Sequence, residues 1–185
     1  MRIARAPDVR LAICRGPGCA RMPRGTLPAL EGLGKRLRPP GLEVQVVVGD
    51  EALLRRLNRE FRARDRGTDV LSFVYDKPHG RPRPPRSGRA PGQGRAGPDA
   101  EIYVSLPRAR TQARERGHSV AAELVVLVLH GLLHVQGHDH RRSAPARRMR
   151  AAEAGHVAWL RRRWPQLTLE PLLPGAAAPP RRSAR

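Results

Sequence analysis

Alternating apolar and polar positions predict a chain in which strands and helices follow one another. Residues 8–15 (DVRLAICR) alternate, and residues 42–48 (LEVQVVV) are rich in β-branched side chains, so both segments favour strands. Residues 27–38 carry leucines at helical spacing. A second such run covers residues 53–61, and Asp50 stands before it as a suitable N-cap.

The second half of the chain repeats this alternation. Residues 69–76 (DVLSFVYD) are apolar on both faces, which predicts a central strand, and residues 100–105 (AEIYVS) predict another strand. Residues 107–116 predict a helix with proline in its first turn. Ser119 is the expected N-cap of the next helix, and residues 141–164 have the composition of a last one.

These elements predict one α+β domain at residues 1–172, with a mixed sheet of about four strands packed against about five helices. Residues 77–98 consist mostly of proline, glycine and arginine without an acid, and we expect a disordered basic insertion there. This basic, acid-free composition is equally compatible with an arm that contacts a polyanion such as RNA and with a passive linker. Residues 173–185 predict a disordered tail.

Histidines interrupt the most apolar stretch, residues 124–140 (LVVLVLHGLLHVQGHDH), which we expect to form a central buried helix and its exit turn. His130 and His134 are four residues apart and so lie on one helical face. Gly137 is a natural helix stop, after which the chain can bring His140 back toward them. Three imidazoles with an open fourth position are typical of catalytic zinc, so we expect one Zn²⁺ per chain.

Two observations qualify this metal-site hypothesis. A single histidine on an apolar helix face is usually a core residue with its hydrogen bonds satisfied, and pairs at this spacing also arise by chance; three with a glycine turn between them are rarer. In the zinc peptidase motif H-E-x-x-H, a glutamate follows the first histidine as general base. Here that position is Gly131, which disfavours a peptidase.

Two blocks of the sequence carry a family resemblance: HGLLHVQGHDH at residues 130–140 and LNREFRARDRGTDVLSF at residues 57–73. Both resemble the corresponding blocks of the YbeY family of bacterial endoribonucleases, which act in ribosomal RNA maturation. The resemblance covers about residues 42–165, apart from the insertion. It implies that His130, His134 and His140 bind zinc and that Arg62 is important for RNA cleavage.

The resemblance also implies a function and partners. We expect a zinc-dependent, single-strand-specific endoribonuclease that acts on ribosomal RNA and the small ribosomal subunit, in maturation and quality control. Water and the RNA 2′-hydroxyl both remain candidates for the nucleophile. The alternatives are an RNA-binding ribosome assembly factor with a structural metal, and a zinc hydrolase of another substrate class.

Arginines crowd the end of the second predicted helix and the loop after it, at Arg59, Arg62, Arg64 and Arg66. A solvated basic face near a helix C-terminus accounts for most of them. Arg62 is singled out by its place in the family block. An arginine there could bind a phosphate bidentately and offset charge that develops on its oxygens.

Several positions differ from the family's usual residues or have open roles. Glu101 stands where the family has aspartate, and His138 stands where it has tyrosine. His138 is therefore a second candidate for the third ligand, although His140 holds the family's final position. Asp139 could hydrogen-bond a ligand imidazole. Glu123 could orient a ligand histidine or simply match the dipole of the helix start.

Charge points to a polyanionic partner. The chain of 185 residues has 36 Lys and Arg against 16 Asp and Glu, for a formal net charge of +20. Nucleic acid is the simplest such partner, although a compositional preference for arginine contributes to the excess. Only 3% of the residues are aromatic, which favours contacts to phosphates over base stacking.

Neither cysteines nor membrane signals change this interpretation. Cys14 and Cys19 do not make a disulfide framework, and without a second pair they are weak zinc ligands. Residues 1–10 are polar and charged, unlike a signal peptide, and the apolar run at residues 124–133 is too short to span a bilayer. We therefore expect a soluble, cytoplasmic protein without a membrane partner.

Overall fold

The strands and helices follow one another in the order that the sequence predicts. The structure, a computed structural model, describes residues 11–19, 21–37, 43–75, 98–138 and 143–169. Within them the strands are β1 (Leu11–Arg15), β2 (Val44–Gly49), β3 (Val70–Val74) and β4 (Ala100–Ser105). The helices are α1 (Thr26–Leu37), α2 (Glu51–Arg62), α3 (Leu106–Arg116), α4 (Val120–Val135) and α5 (Ser143–Arg163), followed by a 3₁₀ turn at Pro165–Leu167. The α+β class is confirmed. The predicted tail and nearly all of the predicted insertion lie outside the described residues.

The sheet is mixed, with the strand order β1-β2-β4-β3. β1, β2 and β4 run parallel, and β3 pairs antiparallel with β4. The prediction that β3 lies in the centre of the sheet is wrong, because it forms an edge. Its two apolar faces arise because helices cover both of them: Leu71 and Phe73 pack toward α2, whereas Ser72 faces α4. The inner position belongs to β4, whose residues are all buried.

α2 packs on one face of the sheet. Asp50 caps its first turn as predicted, because its Oδ1 accepts a hydrogen bond of 2.8 Å from the amide of Leu53. Leu54 and Leu57 are almost completely buried in a small core with Tyr103 of β4. This burial holds the helix, and with it the exposed arginines at its end, against the sheet.

α4 packs on the other face and is the central buried helix that the sequence predicts. Ser119 caps it, accepting a hydrogen bond of 3.1 Å from the amide of Ala122. Most of its residues are buried among α1, α3, α5 and the sheet, including Leu124, Val128 and Leu132. Among the described helices, none is long and apolar enough alone to cross a membrane; α3 and α4 pass that test only as a pair bent by 112°.

Candidate metal centre

Two imidazoles face each other at the end of α4. His130 and His134 occupy successive turns, and their Nε2 atoms lie 3.1 Å apart. The rings are 4.7 Å apart between centroids and inclined by 77°. Both side chains are partly exposed, so a small ligand can reach the space between the two nitrogens from solvent.

The other nitrogen of each ring contacts an oxygen that can only accept. His130 Nδ1 lies 2.6 Å from the Oε1 atom of Glu153 on α5, and His134 Nδ1 lies 2.9 Å from the backbone oxygen of His138. A carboxylate and a carbonyl require a proton on each Nδ1, and this hydrogen-bond network therefore assigns the tautomers. In neutral rings neither Nε2 atom then carries a proton, so each of these two neighbouring nitrogens has a lone pair available to a cation.

The exit turn of α4 supplies one of these oxygens. Gly137 has φ +87°, in the left-handed region, and ends the helix as predicted. The amide of His138 donates to the oxygen of Leu133 at 2.9 Å, and that of Gly137 donates to the oxygen of His134 at 3.0 Å. This is the double hydrogen bond of a Schellman motif. The turn thereby directs the His138 carbonyl onto the ring of His134.

The donor set fits zinc. Tetrahedral coordination with Zn–N bonds of 2.0–2.1 Å separates two ligand nitrogens by about 3.3 Å, close to the 3.1 Å between the Nε2 atoms of His130 and His134. The third predicted ligand, His140, lies outside the described residues, as does Asp139. Within the described residues, no three His, Cys, Asp or Glu side chains converge, so the complete ligand set stays a prediction.

Glu153 is a site residue that the sequence analysis missed. It is the one acid in the sequence of α5, and it stands in line with Met149, Val157 and Leu160 on the buried face of that helix. An acid within an apolar stripe is a detectable signal, because burying a carboxylate is costly without a partner. Here the partner is His130, an orientation typical of metal-ligating histidines.

Comparison with known proteins shows the family to which this chain belongs. The family model described as "Endoribonuclease YbeY" matches residues 28–161. The chain belongs to the endoribonuclease YbeY family. The endoribonuclease YbeY of Solibacter usitatus is 39% identical over 140 residues, which are 74% of this chain and 76% of that relative. The one from Thermus thermophilus is 38% identical over 126 residues, 66% of this chain and 82% of that relative.

Other relatives differ in length. The Myxococcus xanthus endoribonuclease YbeY is 39% identical over 119 residues, and the matched segment covers only 36% of that longer protein. Among solved structures, the solution structure of TM1509 from Thermotoga maritima covers 91% of this chain and 100% of its own chain. It has a TM-score of 0.53 and 25% sequence identity. The family resemblance that the sequence predicts is therefore confirmed.

The second YbeY block places Arg62 at the last position of α2. Its side chain is exposed, and Ala63 ends the helix with φ 52°. The preceding Phe61 packs edge-on against Phe73 of β3, with ring centroids 5.4 Å apart. α2 thus packs on the face of the sheet opposite α4, and Arg62 stands at the C-terminal end of α2, next to the residue that contacts the edge strand β3.

The loop between α2 and β3 is held at both ends. Asn58 donates a hydrogen bond of 2.8 Å to the backbone oxygen of Arg66. The carboxylate of Asp69 accepts from Gln112 of α3 at 3.0 Å and from the amide of Val70 at 2.9 Å. Burial would raise the pKa of Asp69, but these hydrogen bonds outweigh it and lower the pKa below its ordinary value. The loop that follows Arg62 is therefore a fixed connection.

Two acids with open roles lie away from the histidine pair. Glu101 is buried on the α2 face and accepts hydrogen bonds from the hydroxyls of Tyr75 at 2.6 Å and Tyr103 at 3.1 Å. Glu123, in the first turn of α4, accepts a hydrogen bond from Arg116 and lies 3.3 Å from His118 Nδ1. Burial raises the pKa of Glu123 despite the neighbouring Arg116 and His118 side chains. The structure thus favours the helix-start interpretation of Glu123 over a contact with a ligand histidine.

Cys14 and Cys19 are both free thiols. Cys14 accepts a hydrogen bond of 3.3 Å from Gln45, and the sulfur of Cys19 lies 3.7 Å from that of Met22. Burial is the largest influence on Cys19 and raises its pKa, which favours the protonated thiol over the thiolate that a metal requires. These contacts are those of packing residues.

Proposed function

We propose that this chain is a zinc-dependent endoribonuclease that cuts single-stranded segments of precursor ribosomal RNA and acts in ribosome maturation and quality control. Membership of the YbeY family supports the enzyme class. The observation that carries the metal is the pair of Nε2 atoms of His130 and His134, 3.1 Å apart. The proposed partners are ribosomal RNA and the small ribosomal subunit, in the cytoplasm.

In this proposal His130 and His134 hold zinc through Nε2, and His140 is the third ligand. Glu153 and the His138 carbonyl keep both rings in the tautomer that leaves Nε2 unprotonated. Zinc held there would supply Lewis acidity toward a phosphoryl oxygen or a water molecule. With three protein ligands it would remain accessible to substrate or solvent.

Arg62 has the role of binding substrate phosphate. Its exposed guanidinium stands at the end of a helix that Phe61 and Phe73 fix against β3. A planar fork of N–H donors matches two phosphate oxygens and offsets negative charge as it builds up in the transition state. Lysine would offer a point charge without this fork, so Arg62→Lys should retain little activity.

Single-stranded RNA is the substrate that best fits the position of the histidines. The side chain of His130 is only 31% exposed, so a scissile phosphate must leave the regular surface of a duplex to reach it. Unstacked strands can be splayed in this way. The net charge of +20 supports attraction of the polyanion. Analysis of the product ends separates the two nucleophiles, since attack by the 2′-hydroxyl leaves a cyclic phosphate.

Packing at Gly131 supports a nuclease over a zinc peptidase. A Cβ atom at this position would lie 2.7 Å from Cγ2 of Ile102 and 3.0 Å from Oγ of Ser72. The glutamate that a peptidase needs after its first histidine therefore has no room here. α4 lies this close to β3 and β4 because the position is glycine.

The test is cleavage of an end-labelled precursor ribosomal RNA fragment, with chelator and with zinc added back. We expect Arg62→Ala to lose at least about a hundredfold in rate, as for other groups that stabilise transition-state charge, and to keep its zinc. His134→Ala should lose both zinc and cleavage. Arg56→Ala, an exposed arginine of the same helix, is the matched control and should cut normally.

Three results would redirect the assignment. Full cleavage by Arg62→Ala removes this arginine from the mechanism. RNA binding without cleavage in the zinc-loaded protein favours the assembly factor with a structural metal. Elemental analysis that finds no transition metal in the purified protein removes the metal centre and the chemistry that depends on it.

A further inference from the structure

The outer face of α5 carries arginines in two pairs. Arg147 with Arg148 and Arg161 with Arg162 are all exposed. The pairs are 14 residues apart, close to four full turns, so they point in the same direction at a separation of about 21 Å. Among the described residues, none of these four arginines forms an ion pair, and the helix's one acid, Glu153, faces His130 on the opposite side.

Between the two pairs the same face is smooth. Its exposed residues are small and lack charge: Ala151, Ala154, Gly155 and Ala158. Arg150, which is also exposed, borders this face and adds to its positive charge. A Cβ atom added at Gly155 would meet nothing within 4 Å. The face therefore presents a low, flat surface of about four turns with a pair of cations at each end.

We propose that this outer face docks double-helical RNA. Charge complementarity to a polyanion requires cations without intervening acids, and the face provides this. A-form RNA presents a wide, shallow minor groove that is recognised by shape through 2′-hydroxyl and phosphate contacts. Small side chains let the helix approach the groove closely, while the two arginine pairs contact phosphates on either side of it.

Single-stranded RNA fits this face less well, because sequence-tolerant binding of single strands relies on aromatic platforms. The nearest aromatic residue, Trp159, is already engaged: Arg36 lies over its ring at 4.7 Å, and Trp164 packs edge-on against it at 5.2 Å. A duplex stem on α5 and a single strand at the histidines are therefore complementary sites.

This inference rests on the proposed function, since it takes RNA as substrate and extends it to a stem beside the cut strand. Glu153 links the two sites: it lies on the inner face of α5 and contacts His130. A stem on the outer face is thus fixed relative to the metal helix. The protein would then select single strands that adjoin a duplex.

The binding test measures the affinity of the protein for a blunt RNA duplex of about 16 base pairs, the length that some duplex-binding domains span. Fluorescence anisotropy at several salt concentrations gives this affinity. We expect the variant with all four outer-face arginines changed to glutamine to bind at least about tenfold more weakly, with a log–log salt slope shallower by about 3 to 4. The matched control changes four exposed arginines elsewhere on the surface: Arg21, Arg56, Arg110 and Arg114.

The control variant loses the same charge and should bind within about threefold of the unaltered protein. Ala154→Glu, at the middle of the face, should also weaken binding about tenfold, by placing a carboxylate against the groove. The control variant and Ala154→Glu should both melt at the temperature of the unaltered protein. Equal loss in the two arginine variants, or full affinity in Ala154→Glu, would overturn the docking face. Equal affinity for a DNA duplex of the same sequence would overturn the minor-groove contact.

A cleavage experiment separates this inference from the proposed function. The outer-face variant should cut a short unstructured RNA at the normal rate but lose the preference for a strand that adjoins a stem. If the unaltered protein cuts neither RNA yet binds the duplex through α5, the nuclease proposal fails and the docking face stands. If it cuts both at equal rates, the docking face has no role in selecting substrate.

Discussion

The carboxylate of Glu153 lies 2.6 Å from Nδ1 of His130, so α5 fixes the orientation of a ring that α4 carries. Removing such a partner typically weakens metal affinity 10- to 100-fold. We therefore expect Glu153→Ala to bind zinc about 10- to 100-fold more weakly than the unaltered protein. Glu153→Gln should be milder, because its amide oxygen still accepts from Nδ1. Competition with a chromogenic chelator measures both affinities without depending on RNA cleavage.

Glu115, an exposed acid on α3, provides the control. Glu115→Ala should bind zinc as the unaltered protein does. If Glu153→Ala also binds zinc with unchanged affinity, the contact with His130 is only a packing feature of α5. Absence of zinc binding in the unaltered protein would instead contradict the proposed function itself.

The turn at Gly137 predicts a second effect on the metal. Alanine there must adopt φ +87°, at a cost of about 1 kcal/mol. Relief of that strain would move the His138 carbonyl away from His134, so Gly137→Ala should lower zinc affinity several-fold as well as stability. Isothermal titration calorimetry and urea unfolding measure the two effects.

Gly117 is the matched position, because it ends α3 with φ +68° and an added Cβ meets nothing within 4 Å there or at Gly137. Gly117→Ala should therefore cost a similar free energy of unfolding, about 1 kcal/mol, and leave zinc affinity unchanged. Equal loss of zinc affinity in both variants would show that general destabilisation, not the histidine turn, sets the metal affinity.

Much of the fold follows from local sequence signals. Asp50 and Ser119 cap helices as predicted, since a short polar side chain next to an apolar run satisfies free amides wherever the helix later packs. The edge position of β3 could not be predicted from the sequence. A strand with two apolar faces is covered on both of them, and an edge strand covered by two helices has the same sequence pattern as a central strand.

The candidate site also has features that the sequence predicts and features that only the tertiary structure shows. His130, His134 and the stop at Gly137 are close in sequence, so helical geometry alone predicts that the first two meet. Glu153 approaches from another helix 23 residues beyond His130, and only tertiary packing shows this contact. The need for glycine at position 131 is likewise invisible until β3 and β4 are in place.

Close packing at Gly131 gives a third prediction. A methyl group there would lie 2.7 Å from Ile102 Cγ2, so either α4 or β4 must move. Overpacking of a tight core typically costs 1–3 kcal/mol, and we expect Gly131→Ala to lose about that much free energy of unfolding in urea. The displacement also shifts His130, the adjacent residue, and should lower zinc affinity.

Gly155 is a helical glycine in open space and serves as the control. Gly155→Ala should stabilise the protein by about 0.5–1 kcal/mol, because alanine is the better helix former. If the two variants change stability in the same direction, the close approach of α4 to β4 does not explain why position 131 is glycine.

The lowered pKa of Asp69 predicts a dependence of stability on acid. A carboxyl whose pKa is depressed by folding stabilises the protein above its ordinary pKa, near 3.9, and this contribution is lost as the pH falls through the lower, folded value. Asp69→Asn should destabilise the protein by about 1–3 kcal/mol at pH 6, since the hydrogen bonds from Gln112 and Val70 favour a charged acceptor. At pH 3 the difference in free energy of unfolding between Asp69→Asn and the unaltered protein should narrow.

Urea unfolding at both pH values measures this difference, and Glu60→Gln, which changes an exposed acid of α2, is the control. A gap that is equal at both pH values would show that the charge of Asp69 does not hold the loop after Arg62 in place.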